Sequence, residues 1–326
     1  MSSTKYKQIE LIPTAEIDNF LDSFDTILCD VDGVLRTGSH VIDGSPDTIE
    51  ALRKLGKHVY YVSNSSLQSR KDYLKSLARF GYGGESQDMF TSSYICAQYL
   101  KDIGFSKTAY VLGTEAIGKE LDEVGIKNIG CGEDPTPERW YDPNIAKNVV
   151  DAMSDDVGCV IVGLTYDISY LKLIKAISYL SRPDVIFLGT HMDTTFQISK
   201  GYIVPADGPF IHAIQAATGR CPKVLGKPNE FMFEAVRSVH PGIKPSRTLM
   251  IGDTPSTDML FGRTCGLMTL MVGTGSGTIN EVKSWETRRD KETDKFIPDY
   301  FVNRLVDLLP HITRKTQNDT TVNRDQ

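Results

Sequence analysis

The stretch that most constrains this chain is Thr26-Ile27-Leu28-Cys29-Asp30-Val31-Asp32-Gly33-Val34-Leu35. Its apolar, β-branched start, Thr26–Cys29, predicts a short buried strand. The strand ends abruptly in two carboxylates, Asp30 and Asp32, and Gly33 then lets the chain turn sharply. In open α/β sheets, ligands bind just beyond the carboxyl ends of strands, so these acids stand where chemistry is usually done. Two acids one residue apart at such a place can hold a divalent cation, which in turn tolerates an anionic substrate. Alone, the pair reads equally as a solvated acidic turn closing a core strand.

Alternation of strand and helix continues down the chain. Residues 36–44 read as a loop or small hairpin. Ser45 suits a helix N-cap and Pro46 the first helical position, with Ile49, Leu52 and Leu55 on one face and Gly56 closing the helix. Val59-Tyr60-Tyr61-Val62 is then a second strand, which completes a βαβ unit and implies parallel pairing. It runs into Ser63-Asn64-Ser65-Ser66 ahead of a polar helix at 68–80. Small hydroxyl and amide side chains beside free backbone N–H groups can cradle a phosphate, or simply cap the helix.

From about residue 106 to 205 the texture changes. Strands at 110–113, 159–163 and 185–189 alternate with helices at 115–124, 144–152 and 170–180, and Asp134-Pro135-Thr136-Pro137 marks an irregular loop. This predicts an inserted α/β domain. After Phe210 the first texture returns, with Gly226-Lys227-Pro228 at a helix entry and a strand at 248–251 leading to Gly252-Asp253. Asp258 lies five residues further on, and 267–272 is the last strand expected. Residues 1–16 are a polar lead-in, and 311–326 read as a disordered tail.

Each signal has a bland counterpart: Lys227 as a surface lysine, Asp253 as a turn former, Asp258 as a helix cap. Their order is more specific: strand–Asp-x-Asp-Gly, strand–Ser-Asn, Gly-Lys-Pro, strand–Gly-Asp-x-x-x-x-Asp. That order resembles the haloacid dehalogenase-like superfamily over roughly residues 20–310. Within it the sequence looks most like eukaryotic phosphoglycolate phosphatases and the related 4-nitrophenyl phosphatases. The segments Asn64-Ser65-Ser66-x-x-Ser69-Arg70, Ala109-Tyr110-Val111-Leu112-Gly113, Ser169-Tyr170-x-Lys172-Leu173 and Gly189-Thr190-His191-Met192-Asp193 carry that likeness.

The resemblance implies an α/β fold, with a Rossmann-like parallel-sheet core (17–105 and 206–310) and an inserted α/β cap domain (106–205). It also implies hydrolysis of a phosphate monoester through an aspartyl-phosphate. Asp30 matches the nucleophile and Asp32 the general acid and base. Ser63, Asn64 and Lys227 match the phosphate-binding groups. Mg²⁺ is the implied cofactor, with Asp30, Asp32 (through its backbone carbonyl) and Asp253 as ligands and Asp258 close by, outside the ligand set. Caps of this subgroup often mediate dimers, so a homodimer through the cap is expected. The leading substrate is 2-phosphoglycolate, a small phosphorylated metabolite. Pyridoxal phosphate or phosphotyrosine peptides are the enzymatic alternatives, and a catalytically idle binding protein is the alternative of another class.

Several positions depart from the subgroup's usual pattern. His191 stands where Asn is common, Thr165 where Asp is common, and Ala206-Asp207-Gly208 where Gly-Thr-Gly is common. Phe196 stands near a position where pyridoxal phosphate phosphatases carry His, which argues against that substrate. The segment 190–196 matches the specificity loop of the family. His191 and Asp193 lack a third ligand nearby and are expected to form a hydrogen-bonded loop. Gly273-Thr274-Gly275-Ser276-Gly277 follows the last expected strand, lacks a P-loop lysine and reads as a flexible turn.

At 326 residues, two domains are the natural expectation. The net charge of −6 argues against nucleic-acid and anionic-membrane surfaces. No signal-peptide core and no run approaching the ~18 apolar residues of a membrane span is present. Six scattered cysteines without a Cys-x-x-Cys pair read as reduced thiols, so a cytoplasmic location is expected.

Overall fold

The computed structural model describes residues 6–8, 13–133, 143–199, 202–288 and 291–322. The chain divides into two compact units, the first formed by Met1–Ser63, Leu74–Phe90 and Lys227–Gln326, the second by Asn64–Tyr73 and Thr91–Gly226.

The first unit is built on a seven-stranded sheet. Its order is Lys7–Gln8, Tyr300–Val302, Met268–Val272, Thr248–Gly252, Thr26–Cys29, His58–Ser63, Met89–Thr91. Every neighbouring pair from Lys7–Gln8 to His58–Ser63 is parallel. Thr26–Cys29 and Thr248–Gly252 are buried at every position, as strands covered on both faces must be, and this is why they read as unbroken apolar runs. The sheet also explains where a site can form. From Thr26–Cys29 the chain builds outward to one side through His58–Ser63, and it later returns to build the other side from Thr248–Gly252. The strand order therefore reverses between these two central strands, and the turns leaving their carboxyl ends diverge to open a crevice there.

The second unit has its own five-stranded sheet, ordered Lys223–Val224, Ile186–Gly189, Val157–Val162, Thr108–Leu112, Asn128–Ile129, again parallel throughout. The helices Tyr170–Leu180 and Asp207–Thr218 bring Ala176, Tyr179, Ile211 and Ile214 against Val160, Val162 and Phe187 of the sheet. That packing corrects the expected boundaries. The helix Asp207–Thr218 belongs to the second unit because Ile211 and Ile214 complete its core, although the sequence places the return near residue 206. The helix Ser92–Asp102 likewise packs on Glu115–Glu123, and Arg70 is tied to the buried Glu120 by its Nε at 3.1 Å. Residues 64–73 and 91–105 are thereby drawn out of the core to which the sequence assigned them.

Smaller corrections have local causes. Ser45 is the first helical residue rather than the cap, because its Oγ donates to the Ile42 carbonyl at 2.6 Å and so does not accept from a helix amide. The sheet has one strand beyond 267–272, Tyr300–Val302, and the polar lead-in contributes Lys7–Gln8 beside it and the helix Thr14–Asp22. The expected disordered tail is helical over Leu309–Val322. Ile312 is buried, Arg314 pairs with Asp18, and Lys315 Nζ reaches Asp22 at 2.9 Å, so tertiary contacts supply what the polar sequence lacks. The 36–44 segment is a hairpin, Arg36–Thr37 pairing antiparallel with His40–Val41. The loop expected at 134–137 lies outside the described residues. No helix among the described residues is long and apolar enough to cross a membrane, and all six cysteines are free.

Candidate active site

Asp30 continues the line of Thr26–Cys29, its N–H donating to the Ile251 carbonyl at 2.8 Å. That bond sets its side chain beside the end of the neighbouring strand, where Asp253 leaves Thr248–Gly252. Asp258 follows on the turn Pro255–Met259, and its Oδ2 accepts from the amides of Asp253 (3.1 Å) and Thr254 (3.0 Å). Its Oδ1 accepts from Lys227 Nζ at 2.7 Å. The same ammonium donates to Asp30 Oδ1 at 2.8 Å and to the Val62 carbonyl at 3.2 Å. A lysine carries three donors, and all three are used. The residue that alone reads as a surface lysine is 2% exposed.

Asp30, Asp253 and Asp258 bring one oxygen each within 4.8 Å of one another, and all three are buried. With Lys227 as the only side-chain cation paired with them among the described residues, three ionised carboxylates leave an excess of negative charge. Burial pushes Asp30 well above the usual carboxylate range; Lys227 pulls it back, and Asp258 and Asp253 push it up again. Burial and then Asp258 raise Asp253 to about 6, against the pull of the Ser276 amide. Burial works against the charge on Lys227, but Asp258 and Asp30 overcome it and hold the ammonium above its ordinary value. A cluster of hard oxygen donors with unbalanced charge has the chemistry of a Mg²⁺ or Ca²⁺ site. Asp258 has both oxygens engaged by Lys227 and two amides, which leaves Asp30 and Asp253 as the better donors.

The Gly273-Gly277 run has a definite task that its sequence hid. The Ser276 amide donates to Asp253 Oδ2 at 2.5 Å, the Gly277 amide to the Asp253 carbonyl at 3.0 Å, and Thr274 Oγ1 to the Gly33 carbonyl at 2.6 Å. The run thus cradles Asp253 rather than forming a loose turn. Gly33, at φ +87°, completes the cradle: a Cβ there would lie 2.6 Å from Asp253 Cγ. A Cβ on Gly275 would lie 2.0 Å from Asp253 Oδ2. Gly275→Ala must therefore displace the Asp253 carboxylate, and we expect whatever activity the site supports to fall roughly a hundredfold while the fold persists. Steady-state kinetics across a Mg²⁺ titration, alongside thermal unfolding, measure both. The sequence signal was available in a Gly-x-Gly-x-Gly run directly after a buried strand; its target, 23 residues before Ser276, was not.

The remaining predicted residues are placed as follows. Asp32 lies outside the carboxylate cluster; its Oδ1 accepts from Arg36 Nε at 3.0 Å, and its side chain is about half exposed. Arg36, which the sequence reading passed over, thereby orients it. Ser63 ends the strand His58–Ser63 and is buried. Asn64 opens the second unit, where its side-chain Nδ2 donates to Asp193 Oδ2 at 3.3 Å and its backbone carbonyl accepts from Ser92 Oγ at 2.6 Å. His191 and Asp193 form a hydrogen-bonded loop, as expected, with Nδ1 and Oδ2 3.1 Å apart.

Residues 27–127 match the family model of haloacid dehalogenase-like hydrolases, and residues 224–308 match a HAD-hydrolase-like model. The human glycerol-3-phosphate phosphatase is 35% identical over 302 residues, which span 89% of this chain and 91% of that protein. The chloroplastic phosphoglycolate phosphatase 1A of Arabidopsis thaliana is 32% identical over 295 residues, 90% of this chain and 78% of that one. Among solved structures, a p-nitrophenyl phosphatase from Archaeoglobus fulgidus superposes with a TM-score of 0.72 at 23% identity, over 88% of this chain and 99% of its own. That likeness speaks for the fold alone, but the sequence matches run through both strand-end acids, the buried lysine and the intervening unit. With a parallel-sheet core that gathers Asp30, Lys227, Asp253 and Asp258 at its switch point, the chain belongs to the haloacid dehalogenase-like hydrolases, among their phosphoric-monoester phosphatases.

Proposed function

We propose that this phosphatase hydrolyses a small phosphorylated metabolite, with 2-phosphoglycolate first among substrates, through a phosphorylated Asp30 and with Mg²⁺ as cofactor. The observation that carries this reading is the buried set of three carboxylates held around one lysine. Asp30 and Asp253, with the backbone carbonyl of Asp32, would hold the ion. Bound there, Mg²⁺ supplies the positive charge that lets a carboxylate and a phosphate dianion share one site.

The chain's own residues account for the rest. An Asp30 carboxylate oxygen attacks phosphorus, forming the aspartyl-phosphate as the bond to the leaving alkoxide breaks. Asp32, oriented by Arg36, gives the alkoxide its proton. It then takes a proton from the water that attacks the phosphorus, which releases inorganic phosphate and restores Asp30. Lys227 neutralises part of the charge on Asp30, and Ser63 and Asn64 bind phosphoryl oxygens as charge develops on them. The human relative's name adds glycerol 3-phosphate as the competing small substrate.

The test is phosphate release from 2-phosphoglycolate, glycerol 3-phosphate, pyridoxal phosphate, 4-nitrophenyl phosphate and a phosphotyrosine peptide, with Mg²⁺ and with EDTA. We expect turnover in Mg²⁺ only, with the highest kcat/KM on 2-phosphoglycolate. A maximum on glycerol 3-phosphate or pyridoxal phosphate keeps the mechanism and replaces the substrate. Silence on every ester overturns the reading in favour of a binding protein.

A further inference from the structure

His191 and Asp207 meet inside the second unit. His191 Nε2 lies 3.1 Å from Asp207 Oδ1, and His191 Nδ1 lies 3.1 Å from Asp193 Oδ2. The ring and Asp207 are buried, at 6% and 1% exposed. Each acid is in turn tied to the segment that follows Ser63. Asp193 Oδ2 accepts from the Asn64 amide at 3.3 Å, and Asp207 Oδ2 accepts from Ser66 Oγ at 3.0 Å and from Thr190 Oγ1. The imidazole thus bridges two carboxylates, and the carboxylates grip the two ends of residues 64–66.

The charge state follows from the donors. A neutral imidazole donates from one nitrogen only, so it would turn a lone pair toward one of the two carboxylates at 3.1 Å. The Asp193 amide, 3.2 Å from Nδ1, is the partner a neutral ring would use instead, but a carboxylate oxygen at each nitrogen outweighs one neutral donor. Burial by itself would lower the ring's pKa; Asp207 and then Asp193 overcome it and carry it to about 10. Cys96, which also senses Asp207, is kept a neutral thiol by burial and by that same carboxylate.

We propose that His191 is a positioning residue of this phosphatase: its imidazolium clamps Asp193 and Asp207 and through them fixes the Asn64 amide and the Ser66 hydroxyl. The functional consequence rests on the reading of Asn64 as a phosphate-binding group. Losing His191 leaves the buried Asp207 without its counter-charge, and losing Asp207 leaves the ring with Asp193 alone, whereas exchanging the two together for Asn and Thr removes the buried charge pair as a unit.

The experiment is a double-mutant cycle on the full chain, with H191N, D207T and H191N/D207T. It reads 4-nitrophenyl phosphate kinetics in Mg²⁺, thermal unfolding, and the imidazole ¹⁵N signals of the wild type at pH 8. We expect each single variant to raise KM roughly tenfold with much less change in kcat, and the double variant to return within about threefold of wild type. The ring should be an imidazolium at pH 8, where an ordinary histidine is neutral. Since its pKa is raised on folding, the clamp's contribution to stability is complete below about 6.5 and fades as pH rises through about 10. Additive effects of the two substitutions, or a neutral ring at pH 8, overturn the proposal. If the wild type hydrolyses no ester, the phosphatase reading fails, while the NMR signals and the unfolding cycle still decide the clamp. If single variants do not fold, recovery of folding in the double variant supports it, and failure there with a neutral wild-type ring refutes it.

Discussion

Asp30→Asn, assayed in Mg²⁺ on whichever ester the wild type turns over best, loses at least about a thousandfold of kcat, because a carboxamide neither attacks phosphorus nor neutralises a cation. The same substitution leaves the fold as stable as wild type or more so. It removes one of three mutually repelling buried carboxylates, and Lys227 keeps Asp258 at 2.7 Å and the Val62 carbonyl at 3.2 Å. The combination discriminates between roles. A residue that only held the fold together would lose stability with activity, and here the two move apart. Steady-state kinetics and thermal unfolding of the purified variant measure both, and a variant that retained full turnover would place the nucleophile elsewhere.

Much of this site was legible because strands buried on both faces announce themselves as apolar runs, and the order of the motifs gives the carboxylates that follow two of these runs a meaning neither has alone. Thr26–Cys29 with Asp30, and Thr248–Gly252 with Asp253, are of this kind. Lys227 was legible only through its place in the order of motifs, since nothing local distinguishes it from a surface lysine; its three hydrogen bonds come from segments far apart in sequence. Residues that act by long-range contact were not legible. Ser276 and Gly275 matter because Asp253 happens to lie against them. Arg36 matters because a hairpin returns it to Asp32. The unit boundaries failed for the same reason: Ile211 and Ile214 read as the start of the returning core, and only packing shows which sheet they cover. His191 and Asp207 were each visible as departures, but their pairing needed three-dimensional proximity.

Lys227→Met tests the electrostatic logic from the opposite side. Methionine approximates the volume of the lysine stem, so the packing is largely kept and the loss is that of the charge. The three carboxylates then lose a cation that bonds two of them, and removing one partner from a buried ion pair costs about 3–5 kcal/mol. For a unit of this size about 3 kcal/mol corresponds to a Tm lower by roughly 6–12 °C. Turnover falls at least about a hundredfold as well, since the charge on Asp30 and on the transferring phosphoryl group loses its counter-ion. Two further measurements separate charge from packing. Mg²⁺ should raise the Tm of Lys227→Met by more than that of wild type, because the ion now supplies positive charge in place of the lost ammonium. Adding Asp258→Asn should recover part of the lost stability without recovering turnover, because it removes a repelling carboxylate but returns no cation to Asp30. If instead the double variant is less stable than Lys227→Met, Asp258 serves the fold through its bonds to the Asp253 and Thr254 amides, and the balance of charge is not what holds this site together.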